Sequence, residues 1–197
     1  VSKKSKPYIA FHNNDIYIYK SINFNQMKKL YIILLACLLP AFSYAQKCNL
    51  DVDETDAFTK EHVKAGTNSV GGMMWHWTLT LKQSGNKASW EMQLKYAKHF
   101  QDDFRKGDVV YCKLENGKVI KLIADNNYSP SHQVFNDGAI ITTYLPKGSL
   151  DAADLKDFSE SPLSEMRVTL SGINLEPKIS SKQGANIQNI AQCILKQ

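Results

Sequence analysis

The sequence predicts an α+β fold that is mainly antiparallel β, with a C-terminal amphipathic helix packed on a sheet of about six or seven strands. Three observations support this prediction: two long stretches of alternating apolar and polar residues, turn residues at regular intervals, and an apolar stripe of helical period near the C-terminus. The expected arrangement is a meander or a sandwich-like sheet.

The two alternating stretches are adjacent and predict a β-hairpin with one wet face. They are MMWHWTLTLK (73–82) and KASWEMQLKYAK (87–98), and Ser84-Gly85-Asn86 supplies the turn. Within each stretch the Trp and Leu residues, with Met73 in the first and Met92 in the second, fall on one face. Trp75, Trp77 and Trp90 are therefore expected in the core, and not on an aromatic platform for a sugar or peptide.

Further strands follow along the chain. Asn116-Gly117 separates two apolar runs and predicts a two-residue turn that sets Glu115 opposite Lys118. Both faces of this hairpin are fairly apolar, so we expect it inside the sheet or between layers. Residues 132–146 predict a strand or hairpin interrupted at 136–138, residues 165–172 another strand, and residues 58–63 a shorter one.

Two helices are predicted. Ser149 is placed to cap a helix over LDAADLKDF (150–158), with Asp151 in its first turn and Pro162 beyond its end. The C-terminal helix shows the clearer pattern, because Ile187, Ile190, Ala191 and Ile194 form one helical face. Ser180 or Ser181 is the expected cap. A helix this short needs the sheet to bury its stripe.

Residues 27–45, MKKLYIILLACLLPAFSYA, have the parts of a secretory signal peptide: two Lys after a Met, a short apolar run and a small-x-small exit. We expect cleavage between Ala45 and Gln46. The expected domains are an over-extended N-terminus at 1–26, the signal peptide at 27–45 and one secreted β-rich domain at 46–197. Two alternatives stay open: an uncleaved anchor with a cytoplasmic tail, and a lipoprotein anchored through Cys37.

The formal charge of +5 resides in the segment that is expected to be removed. Residues 1–45 contain six Lys and one Asp, whereas residues 46–197 contain 18 basic and 18 acidic residues. The secreted domain therefore shows no electrostatic signature of nucleic-acid binding, and it contains no integral membrane segment after cleavage.

Three cysteines remain after cleavage. Cys48 and Cys193 stand near the two ends of the domain, and an oxidising compartment permits a disulfide between them. Cys112 lies within a predicted strand, where a buried apolar role is usual. The favoured pair is Cys48–Cys193; three free thiols and a pair involving Cys112 stay open, so the state of Cys112 is undecided.

No motif in the sequence indicates catalysis, a metal or a cofactor. The acidic run DVDETD (51–56) lacks the glycine of a calcium-binding loop and is expected to be a solvated, partly mobile segment. His62, His76, His99 and His132 show no metal-ligand spacing in the chain. We therefore expect no catalytic, cofactor-binding or metal-binding residues.

Together, several of these features resemble a group of small, uncharacterised secreted bacterial proteins. The resemblance rests on the signal peptide, the terminal cysteines Cys48 and Cys193, the KGDVVYCKLENGKVIKL hairpin (106–122) and the YLPKGSLDAADLKDF segment (144–158). It implies a β-rich secreted domain and assigns no activity or ligand. Cys112 departs from the simple picture of one terminal disulfide.

The expected function is that of an exported, non-enzymatic binding or interaction module, secreted or periplasmic. Its expected partner is a protein, peptide or glycan of the cell envelope, because exposed sheet edges can add a strand from another chain. The alternative is a cell-envelope hydrolase, or a hydrolase inhibitor, with a site assembled from distant loops.

Overall fold

The structure, a computed structural model, describes residues 9–12, 15–18, 48–72 and 75–196. The chain divides into two compact units, residues 1–47 and residues 48–197. In the first unit, β1 (Ile9–His12) and β2 (Asp15–Ile18) pair as an antiparallel hairpin.

Several predictions concern segments outside the described residues. These are the signal peptide at 27–45, the lipidation site at Cys37 and the cleavage site at Ala45–Gln46. In the part of the chain that is described, no helix combines the length and the apolar character needed to cross a membrane.

Seven strands of the second unit form one antiparallel sheet, the large sheet. They are β3 (Val52–Thr55), β4 (His62–Val70), β5 (Trp75–Ser84), β6 (Lys87–Tyr96), β9 (Ser131–Val134), β10 (Ile140–Tyr144) and β11 (Lys147–Leu150). The strand order is β3-β4-β5-β6-β10-β9, and β11 pairs with the other half of β6. The predicted hairpin is β5–β6, and its register runs unbroken from Trp75 opposite Tyr96 to Ser84 opposite Lys87.

Four further strands form a second antiparallel sheet, the small sheet. They are β7 (Val109–Leu114), β8 (Val119–Ile123), β12 (Leu163–Leu170) and β13 (Ile173–Leu175), in the order β13-β12-β7-β8. The hairpin β7–β8 lies at the side of this sheet with one face to solvent, where Val119 and Ile123 are each 51% exposed. The expectation that the hairpin lies inside the sheet or between layers therefore holds in part: β7 is flanked by β12 and β8 and one face of the hairpin is buried, whereas β8 is an edge strand and the other face is exposed.

The loop between β7 and β8 is one residue longer than predicted. The Leu114 N–H donates to Lys118 O at 2.8 Å, so Leu114 and not Glu115 lies opposite Lys118. Gly117 alone has a positive φ, of 86°, which is the pattern of a three-residue loop that ends in a left-handed glycine. Lys118 is consequently free to form an ion pair with Asp157.

Two helices occur among the described residues. Helix α1 (Ala152–Glu160) follows β11, which contains Ser149, so Ser149 does not cap it; the N-cap is Asp151. Helix α2 (Ser181–Leu195) begins as predicted, with Ser180 and Gln183 in a reciprocal capping box. The predicted stripe of Ile187, Ile190, Ala191 and Ile194 is buried.

Buried side chains from both sheets and both helices form one hydrophobic cluster. Trp77 and Trp90 are fully buried within it, as the alternation predicted. Helix α2 packs against β12 so closely that a Cβ added to Gly184 would lie 2.0 Å from Leu163 O. The predicted fold class, mainly antiparallel β with a C-terminal helix on the sheet, is therefore confirmed, and the small sheet adds a second layer.

The acidic segment near the start of the domain differs from the prediction. Residues 52–55 pair with β4 as β3, whereas the strand expected at 58–63 is mainly a turn. The Asp56 carboxylate accepts the N–H groups of Phe58 and Thr59 at 2.8 and 2.7 Å, which holds this turn. Carboxylates are tolerated in β3 because it lies at the edge of the sheet, where its side chains reach water.

Candidate functional site

The strand edges are the first surfaces to examine for binding, because a strand at an edge carries backbone N–H and C=O groups without partners. In the described region the large sheet ends at β3 and β9, and the small sheet ends at β13 and β8. Each edge can be judged by its charge, its length and what covers it.

Three of the four edges are protected. Four carboxylates lie on or beside β3, at Asp51, Asp53, Glu54 and Asp56. Strand β13 has only three residues. Strand β8 is approached by β11: a Cβ built on Gly148 would lie 2.2 Å from Ile123 O, and the Asp125 N–H donates to Lys147 O at 3.1 Å. Charge, shortness and cover are the usual means of blocking an edge.

Strand β9 has none of these protections. Its four residues, Ser131, His132, Gln133 and Val134, are all exposed and carry no carboxylate or lysine. Among the described residues, β9 pairs with β10 alone. Its outer side is therefore an open edge, and the backbone groups that face it can be identified from the register.

The pairing with β10 shows which backbone groups of β9 are free. The Phe135 N–H donates to Ala139 O at 2.9 Å, so Phe135, Gln133 and Ser131 direct their backbone groups toward β10. Because backbone direction alternates along a strand, His132 and Val134 direct their N–H and C=O groups outward. The edge thus offers two N–H donors and two C=O acceptors. Their spacing matches that of a partner strand added in either the antiparallel or the parallel direction.

The side chains around this edge are apolar or neutral. Val134 is 67% exposed and Phe135 40% exposed. Ile140 lies directly opposite Val134 in the register, on the same face of the sheet. An added strand would therefore contact apolar side chains at the tip of the β9–β10 hairpin and would meet the polar side chains of Ser131 and His132 at its base.

The base of β9 rests on a buried hydrogen-bond network centred on Thr142, which is fully buried. Thr142 Oγ1 donates to Lys98 O at 2.7 Å, accepts the Phe100 N–H at 3.3 Å and lies 3.1 Å from His132 Nδ1. These bonds tie β9 and β10 to the segment that follows β6. The edge is therefore held in place from beneath by a polar network.

Aromatic rings pack beside this network. Tyr96 makes edge-to-face contacts with Trp77, Phe100 and Tyr144, with ring centroids 5.7, 5.4 and 6.4 Å apart. The Tyr144 hydroxyl donates to Asp102 O at 2.8 Å, and burial raises the pKa of Tyr144 to about 12. Tyr144 is therefore a neutral structural group, and the cluster forms a rigid support under the open edge.

A second surface is a groove of about 680 Å³ near the disulfide. Two of its lining residues belong to an array of side chains: His62 Nε2 lies 2.7 Å from Asp53 Oδ1, and His62 Nδ1 lies 3.4 Å from Thr55 Oγ1. A hydroxyl, an imidazole and a carboxylate in this order match the components of a hydrolase triad. The His62 and Asp53 side chains are 51% and 53% exposed, however, whereas a catalytic carboxylate is normally shielded from water.

A third surface is the outer face of the small sheet, with a groove of about 410 Å³. Tyr111 lies in it, between the ion pairs Lys113–Glu165 at 2.8 Å and Arg167–Glu176 at 2.5 Å. Four of the charged side chains here are engaged with one another in these two ion pairs.

The residues singled out from the sequence are dispersed over the domain. Cys48 and Cys193 form a disulfide with their Cα atoms 5.5 Å apart, the pairing that the sequence favoured. Cys112 is a free, fully buried cysteine, and burial raises the pKa of its thiol well above the ordinary range. That thiol is therefore unavailable as a nucleophile.

The sequence did not indicate the β9 edge. The hairpin that residues 132–146 predicted, with its interruption at 136–138, corresponds to β9 and β10, but the sequence pattern does not show that β9 lies at an edge of the sheet.

Comparisons with known proteins identify no relative of this chain. It matches no protein-family model, and neither a curated protein nor a solved structure shows significant similarity to it.

Proposed function

We propose that the protein is an exported, non-enzymatic binding module that takes an extended segment of a partner protein as an added strand along β9. The observation that carries this proposal is the open, uncharged edge of the large sheet, with the backbone groups of His132 and Val134 directed outward. Strand addition uses such groups for affinity and alternate side chains for specificity.

The chemistry of the edge indicates the kind of segment. Four backbone hydrogen bonds of about 0.5–1.5 kcal/mol each give modest affinity, so side-chain contacts must supply the remainder. Val134, Phe135 and Ile140 provide apolar neighbours, and no charge lies in the strand. The expected partner segment is therefore short, uncharged and rich in β-branched or aromatic residues.

A peptide partner fits better than a glycan. Two tryptophans that could stack on a sugar, Trp77 and Trp90, are fully buried. The alternating N–H and C=O groups of an edge match a peptide backbone directly. Export is supported by the signal-like segment at 27–45 and by the Cys48–Cys193 disulfide, because disulfides persist in oxidising compartments.

The test is a selection of random heptapeptides on the folded protein, followed by measurement with edge variants. Val134→Pro removes an outward N–H and leaves the pairing with β10 intact, so binding of the selected peptides should fall at least tenfold. Thr55→Pro is the matched control, because Thr55 also lies in an edge strand: the neighbouring Asp56 N–H donates inward to Glu61 O, so the Thr55 N–H is directed outward.

Hydrogen exchange identifies the binding position. Bound peptide should slow exchange of the His132 and Val134 amides and leave the amides of β3 unchanged. Equal binding to both Pro variants, or protection at another edge, would contradict the proposal. Self-association that Val134→Pro abolishes would identify a second copy of the chain as the occupant instead.

We propose a hydrolase as the second candidate function, on the strength of the Thr55–His62–Asp53 array. In this case Thr55 Oγ1 would attack an acyl carbon while His62 Nδ1 takes its proton and Asp53 holds the imidazole. The bond from the acyl carbon to the leaving group would break as the imidazolium returns that proton to it, and water would then hydrolyse the acyl-Thr55 ester. A fluorophosphonate probe should then label Thr55, detectable by mass spectrometry, and Thr55→Val and Asp53→Asn should prevent labelling. An unlabelled wild-type protein would exclude this candidate.

A further inference from the structure

Two histidines that are distant in the sequence meet beside the open edge. The rings of His99 and His132 have centroids 4.6 Å apart, and their planes are tilted by 46°. Both residues are exposed. Two exposed imidazole rings at this separation are close enough to bind one ligand together.

The hydrogen-bond network determines the tautomer of His132. Thr142 has one hydroxyl proton, and it is donated to Lys98 O, which can only accept. Thr142 Oγ1 must therefore accept the bond from His132 Nδ1, so this nitrogen carries the hydrogen. In the neutral ring, His132 Nε2 then has a free lone pair.

This arrangement is typical of a metal-ligating histidine. Such a residue usually donates its second ring N–H to a fixed acceptor, which orients the ring and raises its basicity. Here the acceptor is a buried hydroxyl that is itself fixed by Lys98 O and by the Phe100 N–H. The hydrogen bond that would orient His132 as a metal ligand is therefore already formed.

We propose that His99 and His132 together bind one divalent transition-metal ion of the Cu²⁺ or Zn²⁺ class, with water completing the coordination. With metal–nitrogen bonds of about 2.1 Å, two imidazoles on one ion have ring centroids roughly 4.5–5.3 Å apart. The separation of 4.6 Å lies within this range.

The choice of ion follows from the donor atoms. Imidazole nitrogen favours Cu²⁺, Zn²⁺ and Ni²⁺ over Mg²⁺ and Ca²⁺, which prefer oxygen. The described residues contain no group of three or more His, Cys, Asp or Glu side chains placed to hold a metal, so this is a two-ligand site. The adjacent cation, Lys98, has its ammonium over the Phe100 ring, 5.5 Å from the centroid.

The site does not depend on strand addition. It uses ring nitrogens, whereas strand addition uses backbone groups of His132 and Val134. Metal binding therefore succeeds or fails independently of the proposed function.

The test is titration of the full chain with CuCl₂ at neutral pH, followed by calorimetry and electron paramagnetic resonance. One ion per chain should show hyperfine coupling to two nitrogens. His99→Ala and His132→Ala should each weaken binding at least about tenfold and reduce the coupling to one nitrogen. His76→Ala is the matched control, since it removes another exposed strand histidine and should leave binding unchanged.

Variants at Thr142 distinguish ligation of the metal ion by His132 from nonspecific binding of the ion to the protein surface. Thr142→Val removes the acceptor of the His132 N–H and should weaken binding about 10- to 100-fold, whereas Thr142→Ser should restore it. Far-UV circular dichroism verifies that each variant is folded. Binding that survives in both His99→Ala and His132→Ala, or that depends on His62 instead, would overturn the proposal.

Discussion

The two ends of the large sheet differ in what surrounds them. At the β3 end, helix α2 packs on β4, the Cys48–Cys193 disulfide joins the two ends of the domain, and carboxylates line the edge. At the β9 end, every residue of the last strand is exposed, and no strand in the part of the chain that the structure describes pairs with its outer backbone groups. The edge strand at each end pairs with one neighbour in the same antiparallel way. The helix, the disulfide and the charged side chains around the edge strand therefore decide which end is closed and which is available for contact.

The largest expected effect tests the closed end. Replacing Cys48 and Cys193 together by Ser removes a cross-link between residues 145 positions apart in the sequence. The entropy model of disulfides then gives a loss of about 5 kcal/mol in the free energy of unfolding. Urea unfolding followed by the fluorescence of buried Trp77 and Trp90 measures this loss. Reductant should lower the stability of the wild type and leave that of the double variant unchanged. Equal stability of the wild type and the double variant in the absence of reductant would contradict the prediction.

The second effect concerns the close approach of α2. Gly184→Ala places a methyl group 2.0 Å from Leu163 O, a backbone atom that cannot move aside without shifting β12. The expected cost is about 3 kcal/mol of unfolding free energy, measured by urea unfolding. Gly72→Ala is the matched control, because a Cβ there meets no atom within 4 Å. Similar stability of the two variants would show that the helix is less tightly packed than described.

The third effect compares one residue type at two places in the sheet. Val70 in β4 is 1% exposed, whereas Val134 in β9 is 67% exposed. Val70→Ala should cost about 2 kcal/mol because it empties buried space, and Val134→Ala should change stability by less than about 0.5 kcal/mol. Thermal unfolding of the two variants measures the difference. A large loss at Val134 would mean that the β9 edge contributes to stability.

The smallest effect is the pH dependence of the turn after β3. Hydrogen bonds from the backbone N–H groups of Thr59 and Phe58 lower the pKa of the Asp56 carboxyl in the folded protein. A lowered pKa stabilises the fold above the pKa of the unfolded chain, and this contribution is lost as the pH falls through the folded value. The stability of wild type and Asp56→Asn should therefore differ more at pH 6 than at pH 2.5. An unchanged difference would contradict the assigned role of the turn.

The sequence predicted the parts of the fold whose patterns are local and long. The β5–β6 hairpin alternates over twenty residues, and α2 has both a cap and a complete apolar stripe, so nothing distant had to be known. Strands β3, β11 and β13 were missed because three or four residues cannot show a period, and partners far along the chain determine their pairing. The cap of α1 was assigned to Ser149 because the sequence did not show that Lys147–Leu150 pairs with β6.

The candidate site was less predictable for the same reason. His99 follows β6 and His132 lies in β9, and the pairing of β10 with both of these strands brings them together. Their spacing in the chain therefore contains no information about their distance. The open edge likewise depends on whether residues elsewhere in the chain cover β9, and the alternation of residues within the strand cannot reveal this.

The proximity of residues 48 and 193 has a consequence for protein engineering. With their Cα atoms 5.5 Å apart, both connections to this domain leave from a single point on its surface. The domain can therefore be inserted as a cassette into a surface loop of a host protein without stretching that loop. A short peptide could likewise join the two ends, and new termini opened at residues 136–138 would leave both sheets intact.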